Sequence, residues 1–271
     1  MEFNTWRVLQ EVSSAASSAH QFATNSTGIS HQESTHPNVN RSVSHWDLLK
    51  YVGDICHLLS FAILIYNMKK KNNCLGVSYR TQEIYLIVFL ARYSDLLFAP
   101  QPNVWNVFCK VLYIGLTVYC IYLIRFERPI CVSYETVMDK FPHRYTIIPA
   151  AVVIGLLLPD YSLWAFFHPW FHKVYNITVV MEAFAILPQL ALLRKIREIE
   201  IVTGGYIFCL GMYRGIYILS WVWRMVEMNF YFKSIYIKFI FGVIQYLLYA
   251  DFIINYVKSV KEKKPFVSLP I

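Results

Sequence analysis

The amino-acid sequence predicts an all-α integral membrane protein with seven transmembrane helices. Hydrophobic residues make up 56% and aromatic residues 17% of the chain, against 15% charged residues, which is more apolar than soluble domains are. Apolar runs of roughly 15 to 22 residues recur from Val52 to Ile254, each near the length that a helix needs to cross a bilayer. The predicted spans are residues 52–68, 84–98, 104–124, 145–158, 173–193, 206–226 and 235–257.

The distribution of basic residues orients these spans, because Lys and Arg near span ends stay on the cytoplasmic side. The loops after the second, fourth and sixth spans hold only Lys173, Lys233 and Lys238. The other loops and the tail hold Lys69, Lys70, Lys71, Arg80, Arg125, Arg128, Lys140, Arg144, Arg194, Lys195, Arg197, Lys258, Lys261, Lys263 and Lys264. This bias places the amino terminus in a lumen and the carboxyl terminus in the cytoplasm.

The chain divides into three predicted regions. Residues 1–45 are rich in Ser, Thr, Asn and His, a composition typical of a disordered polar extension, here lumenal. Residues 46–257 form the membrane domain, and residues 258–271 form a lysine-rich cytoplasmic tail. The sequons at Asn25 and Asn40 are candidates for glycosylation, whereas Asn176 lies inside a predicted span.

Several function classes find no support in the sequence. The net charge of +8 comes from short loops beside the spans and forms no continuous basic stripe, which favours contact with membrane lipid over nucleic acid. The cysteines lack the paired spacing of a metal site or disulfide framework. Neither a nucleophile elbow nor a phosphate loop is present, so we expect no enzyme, cofactor or metal.

The sixth predicted span carries an unusual cationic face. An arginine at a helix centre costs about 2.5–3.5 kcal/mol on insertion scales, so such residues face the protein interior. Arg214, Tyr217, Trp221 and Arg224 fall within an arc of about 80° at 100° per residue. This face predicts a bound anionic ligand. For Arg92, pairing with Asp95 three residues later is an equally good explanation.

Two other spans place polar residues on one face. In the first, Lys50, Gly53 and His57 lie together, and His57 is either a hydrogen-bonded structural residue or a proton sensor. In the fifth, His172, Tyr175 and Glu182 lie within about 80°. The candidate partners of the buried Glu182 are Tyr213, Arg214 and His57.

Three smaller features complete this interpretation. Pro188 predicts a kink in the fifth span, with the Gln189 amide available to satisfy freed backbone groups. Asp251, near the end of the seventh span, is either a solvated acid or a functional one. The pairs Arg92-Tyr93 and Tyr213-Arg214 occupy equivalent helices if the chain contains two parallel three-helix repeats joined by a linking helix.

Six stretches of the chain, from about residue 46 onward, carry the signs of a known family: GDICHLLS at 53–60, ARYSDL at 91–96, EAFAILPQL at 182–190, GMYRGIY at 211–217, WVWR at 221–224 and YADF at 249–252. Together they resemble the KDEL receptor family. This resemblance implies a fold related to SWEET and PQ-loop transporters. It also implies a receptor in Golgi and endoplasmic reticulum (ER) membranes that binds the C-terminal tetrapeptide of soluble ER proteins and returns them by retrograde vesicle transport.

The resemblance also implies residue roles. Arg92 and Tyr93 would hold the terminal carboxylate of the signal, while Arg224 and Lys50 would meet its acidic side chains. Arg214, Tyr217 and Trp221 would line the cavity, and Asp95 would face the first, basic position. His57 would sense protons together with Glu182 and Tyr213, and Asp251 would serve return transport. Lys258, Lys261, Lys263 and Lys264 would bind retrograde coat proteins, with Ser268 a phosphorylation site.

The sequence departs from the family at three places. Lys50 stands where the family has Arg, and a lysine cannot offer a bidentate fork to a carboxylate. His172 and Tyr175 replace a Glu and a Trp at the subsite for the first residue of the signal. The extension of residues 1–45 is also foreign to the family. The alternatives are a paralogue reading a variant tetrapeptide, a transporter of a small polar or anionic solute, and an orphan trafficking protein.

Overall fold

The fold is given by a computed structural model that describes residues 45–98, 103–159, 169–227 and 234–268. The predicted extension and the sequons at Asn25 and Asn40 lie outside these residues. The helices are α1 His45–Lys71, α2 Tyr79–Arg92, α3 Asp95–Phe98, α4 Val104–Arg125, α5 Ile147–Leu157, α6 Pro169–Phe184, α7 Leu187–Ile196, α8 Ile201–Glu227 and α9 Ser234–Lys261, with a 3₁₀ turn at Ile130–Ser133.

Each of the seven predicted spans falls on helical residues, although their lengths differ. In the described part of the chain, five helices are long and apolar enough to cross a membrane: Leu48–Lys71, Val104–Arg125, Trp170–Ile196, Ile201–Glu227 and Ile235–Lys261. α2 has only 14 residues and α5 only 11. The chain is therefore a helical multi-pass membrane protein.

The predicted kink at Pro188 is confirmed, because α6 ends at Phe184 and α7 begins at Leu187. The Gln189 amide bonds to other parts of the chain rather than to its own helix. Its Oε1 accepts from the Ser78 backbone N–H at 2.8 Å and from the Tyr206 hydroxyl at 2.6 Å. Its Nε2 donates to the Gly76 carbonyl at 2.6 Å. This one side chain joins α7 to α8 and to the start of α2.

A short β-ribbon joins the tail to the loop before α8, and this feature was not predicted. Strand β1, Glu198–Glu200, pairs antiparallel with β2, Phe266–Ser268. α9 continues through Lys261, so Lys258 and Lys261 lie on the helix. A hydrogen bond from Lys264 at 2.6 Å lowers the pKa of Glu262. We call the end of the helices that carries Lys258, Lys261 and the β-ribbon the basic end.

Glycines set the closest helix contacts. A Cβ on Gly53 of α1 would lie 3.1 Å from the Tyr217 ring of α8, so these two helices approach each other closely at this glycine. A Cβ on Gly155 of α5 would lie 2.6 Å from the Ile177 Cα of α6. Small residues at helix interfaces in membranes let backbones approach in this way.

We expect Gly155→Ala to lower the free energy of unfolding by about 1–3 kcal/mol, because the Ile177 backbone leaves no room for a methyl group. Gly115→Ala is the matched control, since a Cβ there would meet nothing within 4 Å. The control should retain or slightly raise stability, as Ala is the better helix former. Thermal melting in detergent measures both, and equal stabilities would contradict the tight α5–α6 contact.

Candidate functional site

A polar cavity with two chambers opens among α1, α2, α4, α6, α8 and α9. The first chamber has a volume of about 500 Å³ and the second about 320 Å³. Both chambers are lined by Lys50, Arg92, Tyr93, Tyr113, Tyr175, Tyr217 and Lys238. A cavity of this size with convergent polar groups is a typical ligand site.

Glu182 of α6 holds the two most buried arginines of the cavity. Its carboxylate pairs with Arg92 of α2 and with Arg214 of α8, and the Tyr213 hydroxyl donates to it at 3.3 Å. The side chains of Arg92, Arg214 and Glu182 are 15%, 7% and 9% exposed. One carboxylate therefore balances two guanidinium groups, so this cluster carries one excess positive charge.

Arg92 retains an unused donor. Its Nη1 meets Glu182 and its Nε donates to Thr178 at 3.2 Å, while its buried Nη2 has no hydrogen-bond partner among the residues that the structure describes. A buried donor without a partner costs the desolvation of that group. An incoming oxygen anion would satisfy it.

His57 lies inside an aromatic stack beside this cluster. Its ring is parallel to Tyr213 at 4.1 Å between centroids and lies 4.5 Å from the Tyr113 ring. His57 is only 4% exposed. Its charged neighbours are Glu182, Arg214 and Arg92. A proton gained by His57 would therefore add a positive charge beside the two arginines and their shared carboxylate.

Two further acids line the first chamber, and each has partners within the protein. Asp54 of α1 accepts from Trp105 Nε1 at 3.0 Å, from Tyr113 at 3.4 Å and from Tyr217. Asp95 accepts from Lys110 Nζ at 2.5 Å. The prediction that Arg92 would pair with Asp95 is not what the structure shows, because Arg92 pairs with Glu182 on another helix.

The structure brings together the residues predicted to bind a ligand. The second chamber is lined by the whole predicted face of the sixth span and by the predicted proton-sensing residues. The first chamber adds the residues predicted to contact the start of a signal. Residues of the second chamber are His57, Glu182, Tyr213, Arg214, Tyr217, Trp221 and Arg224. Residues added by the first are Asp95 and His172, alongside the shared Lys50, Arg92, Tyr93 and Tyr175.

The residues predicted to serve return transport lie elsewhere. Asp251 is exposed on α9, where the Asn255 side chain donates to its carboxylate at 3.2 Å. The lysines of the tail prediction are exposed at the basic end, namely Lys258, Lys261, Lys263 and Lys264. None of these residues lines either chamber.

Residues 73–224 match the family model of the ER lumen protein retaining receptor. A Plasmodium falciparum ER lumen protein-retaining receptor is 40% identical over 210 residues, covering 76% of this chain and 90% of that protein. The chain belongs to the ER lumen protein-retaining receptor family. Receptor B of Arabidopsis thaliana is 34% identical over 219 residues, covering 80% of this chain and 97% of the relative. Receptor 2 of Danio rerio is 34% identical over 232 residues, covering 83% and 99%.

Membership of the receptor family confirms the resemblance that the sequence motifs indicated. The names of these relatives describe receptors, which agrees with the expected non-enzymatic role and does not favour a solute transporter. Tyr217 and Trp221 fall inside the matched segment, as do both arginines held by Glu182.

Among the described residues, sequence reasoning missed three charged residues in the cavity of this receptor, Asp54, Lys110 and Lys238. Lys238 was counted with the loop lysines although the predicted seventh span begins at residue 235, and this count is wrong, because Lys238 lies on α9 and lines both chambers. Helical spacing could have placed Lys238 in the interior, because one face of α9 carries, within about 60° at 100° per residue, Lys238, Gly242, Gln245 and Tyr249. Asp54 shares a face with Lys50 and His57 by the same rule.

Proposed function

We propose that this chain is a pH-dependent receptor for the C-terminal tetrapeptide of soluble ER proteins, of the KDEL type. Its cavity would bind the signal in the Golgi, and retrograde vesicles would return the complex to the ER. Family membership supports this function, and the cationic, aromatic-lined cavity has the chemistry for a peptide with a terminal carboxylate and acidic side chains.

The unused Nη2 donor of Arg92 is the observation that carries the proposal. A free C-terminal carboxylate placed there would satisfy a buried donor, with the Tyr93 hydroxyl beside it. Charge-assisted hydrogen bonds of this kind are the stronger ones. Arg224 and Lys50 would meet the acidic side chains, while Arg214, Tyr217 and Trp221 would form the wall. Asp95 and His172, with Tyr175, would border the first residue of the signal.

A proton on His57 would strengthen anion binding. The positive charge would lie beside Glu182 and would compete with Arg92 for that carboxylate, leaving the arginine more available to the ligand. Protonation in the mildly acidic Golgi would then raise affinity, and loss of the proton in the neutral ER would release the signal. Tyr213 would transmit the change, since it stacks on His57 and donates to Glu182.

The membrane topology that we propose follows from the distribution of lysine and arginine among the loops. Seven membrane spans in two three-helix repeats would place the cavity on the lumenal side and the basic end in the cytoplasm. Retrograde coat proteins would bind Lys258, Lys261, Lys263 and Lys264, and Asp251 would take part in return transport. The loop lysines would contact anionic membrane lipid.

The proposal is tested with a tetrapeptide signal carrying either a free or an amidated C-terminus. At pH 6 the purified protein should bind the free peptide at least about tenfold more tightly than the amide, because amidation removes the charge that Arg92 meets. The affinity for the free peptide should fall when the pH is raised to 7.4. Isothermal titration calorimetry measures both effects.

A His57→Ala variant serves as the control for the pH effect, since it removes the titrating ring and leaves Arg92 in place. Its affinity should be low at both pH values. Equal binding of free and amidated peptide at pH 6 would reject the receptor function. Binding of the free peptide without pH dependence would reject only the role of His57.

A further inference from the structure

Lys238 brings a cation into the cavity from the last helix. Its Nζ lies 5.0 Å from the centroid of the Tyr175 ring, and it lines both chambers. Three residues of the same face are packed into the protein: Gly242 contacts Trp221, and Gln245 and Tyr249 are 1% and 0% exposed. The position of Lys238 is therefore fixed by the packing of α9.

The acids of the cavity do not neutralise Lys238. Among the described residues, no carboxylate lies within 4.0 Å of its Nζ. Glu182 is shared by two arginines, Asp95 meets Lys110, and Asp54 accepts from three aromatic side chains. Lys238 instead contacts Tyr175, since its Nζ lies over the Tyr175 ring. The wall around Tyr175 therefore has uncompensated positive charge.

The distances fit one end of a bound tetrapeptide. Arg92 Cζ lies 5.6 Å from the same Tyr175 ring, so the two cations are separated by on the order of 10 Å at most. An extended peptide spans about 10 Å between its first and fourth residues. With its carboxylate on Arg92, such a peptide is long enough for its first residue to reach Lys238.

We propose that Lys238 and Tyr175 form a subsite that prefers an acidic first residue in the signal and disfavours lysine there. This inference rests on the proposed function and narrows it to a substrate class. A glutamate at the first position gains an ion pair with Lys238 and a hydrogen-bond donor in the Tyr175 hydroxyl. A lysine at that position places a second cation against Lys238 in a site of low dielectric.

The test uses the full chain and three peptides with free C-termini that differ only in their first residue: EDEL, SDEL and KDEL. At pH 6 we expect EDEL to bind about tenfold more tightly than KDEL, with SDEL between them. Lys238→Ala should remove this preference, and Lys238→Glu should reverse it. Lys261→Ala, on the same helix but at the basic end, should leave it unchanged.

The outcomes separate this inference from the receptor function. If KDEL binds as tightly as EDEL, or if Lys238→Glu retains the order of the three peptides, the subsite assignment is wrong while the receptor function stands. If none of the three peptides binds and amidation has no effect, the receptor function itself fails. Melting curves of the Lys238 variants show whether they fold. SDEL binding, which does not depend on a charge at the first position, should persist in each of them.

Discussion

Glu182→Gln should lower the free energy of unfolding by about 3–5 kcal/mol, the cost of removing one partner from a buried ion pair. The substitution retains the size of the side chain but leaves Arg92 and Arg214 without their shared carboxylate. Both guanidinium groups lie in a cavity wall that is mostly closed to solvent. Denaturant or thermal unfolding in detergent measures the effect.

Glu127→Gln is the matched control for this substitution. Glu127 pairs with Lys69 at 3.1 Å, but the two side chains are 33% and 43% exposed. Exposed ion pairs contribute little, so the control should cost at most about 1 kcal/mol. Equal effects of the two substitutions would show that Glu182 does not balance the two arginines.

A triple substitution separates charge from packing at the same place. Glu182→Leu combined with Arg92→Met and Arg214→Met removes the whole ionic cluster and retains apolar volume. Replacing a complete buried cluster in this way is often neutral or stabilising. We therefore expect the triple variant to be more stable than Glu182→Gln and to have no peptide affinity. This outcome would assign the cluster to binding rather than to stability.

Arg92→Ala should reduce the affinity for a free tetrapeptide by a factor of about 30 to 5,000, which corresponds to the loss of about 2–5 kcal/mol for a buried charge pair. Arg92→Lys should also bind weakly, because the compact ammonium group of lysine cannot reproduce the planar spread of donors by which Arg92 meets Glu182, Thr178 and the peptide carboxylate. Glu182 retains Arg214 as a partner in both variants, so we expect the fold to persist. Binding titrations and melting curves of the same samples measure the two properties separately.

Arg125→Ala is the control for Arg92→Ala, since it removes an arginine that lies over the Tyr79 ring at 5.5 Å and does not line the cavity. Its peptide affinity should equal that of the unmodified protein. An unchanged affinity in Arg92→Ala would contradict the proposed site of the carboxylate. Retained discrimination between free and amidated peptide in that variant would place the carboxylate at another cation.

The helices and one face of the site could be predicted from the sequence because both depend on local spacing. Hydropathy placed a helix at each span, and the 3.6-residue period brought Arg214, Tyr217 and Trp221 to one wall. The length of α5 was less accessible, since Pro159 and neighbouring aromatics obscure where its apolar run ends.

Contacts between helices could not be predicted in the same way. Tyr213 and Arg214 were two of three candidate partners for Glu182, and both contact it, but spacing along one helix gave no means to add Arg92. Lys238 was misplaced because a lysine near the start of a span resembles a topology signal. The ribbon was missed because three-residue strands leave no periodic pattern to detect.

The β-ribbon has a practical consequence for experiments on this protein. β2 ends at Ser268, and its partner β1 immediately precedes α8. A fluorescent reporter or purification tag attached after β2 would disturb a strand whose partner leads into α8, the helix that carries Arg214 of the cavity. Fusions placed after the tail should therefore be compared with an untagged chain before their peptide affinities are interpreted.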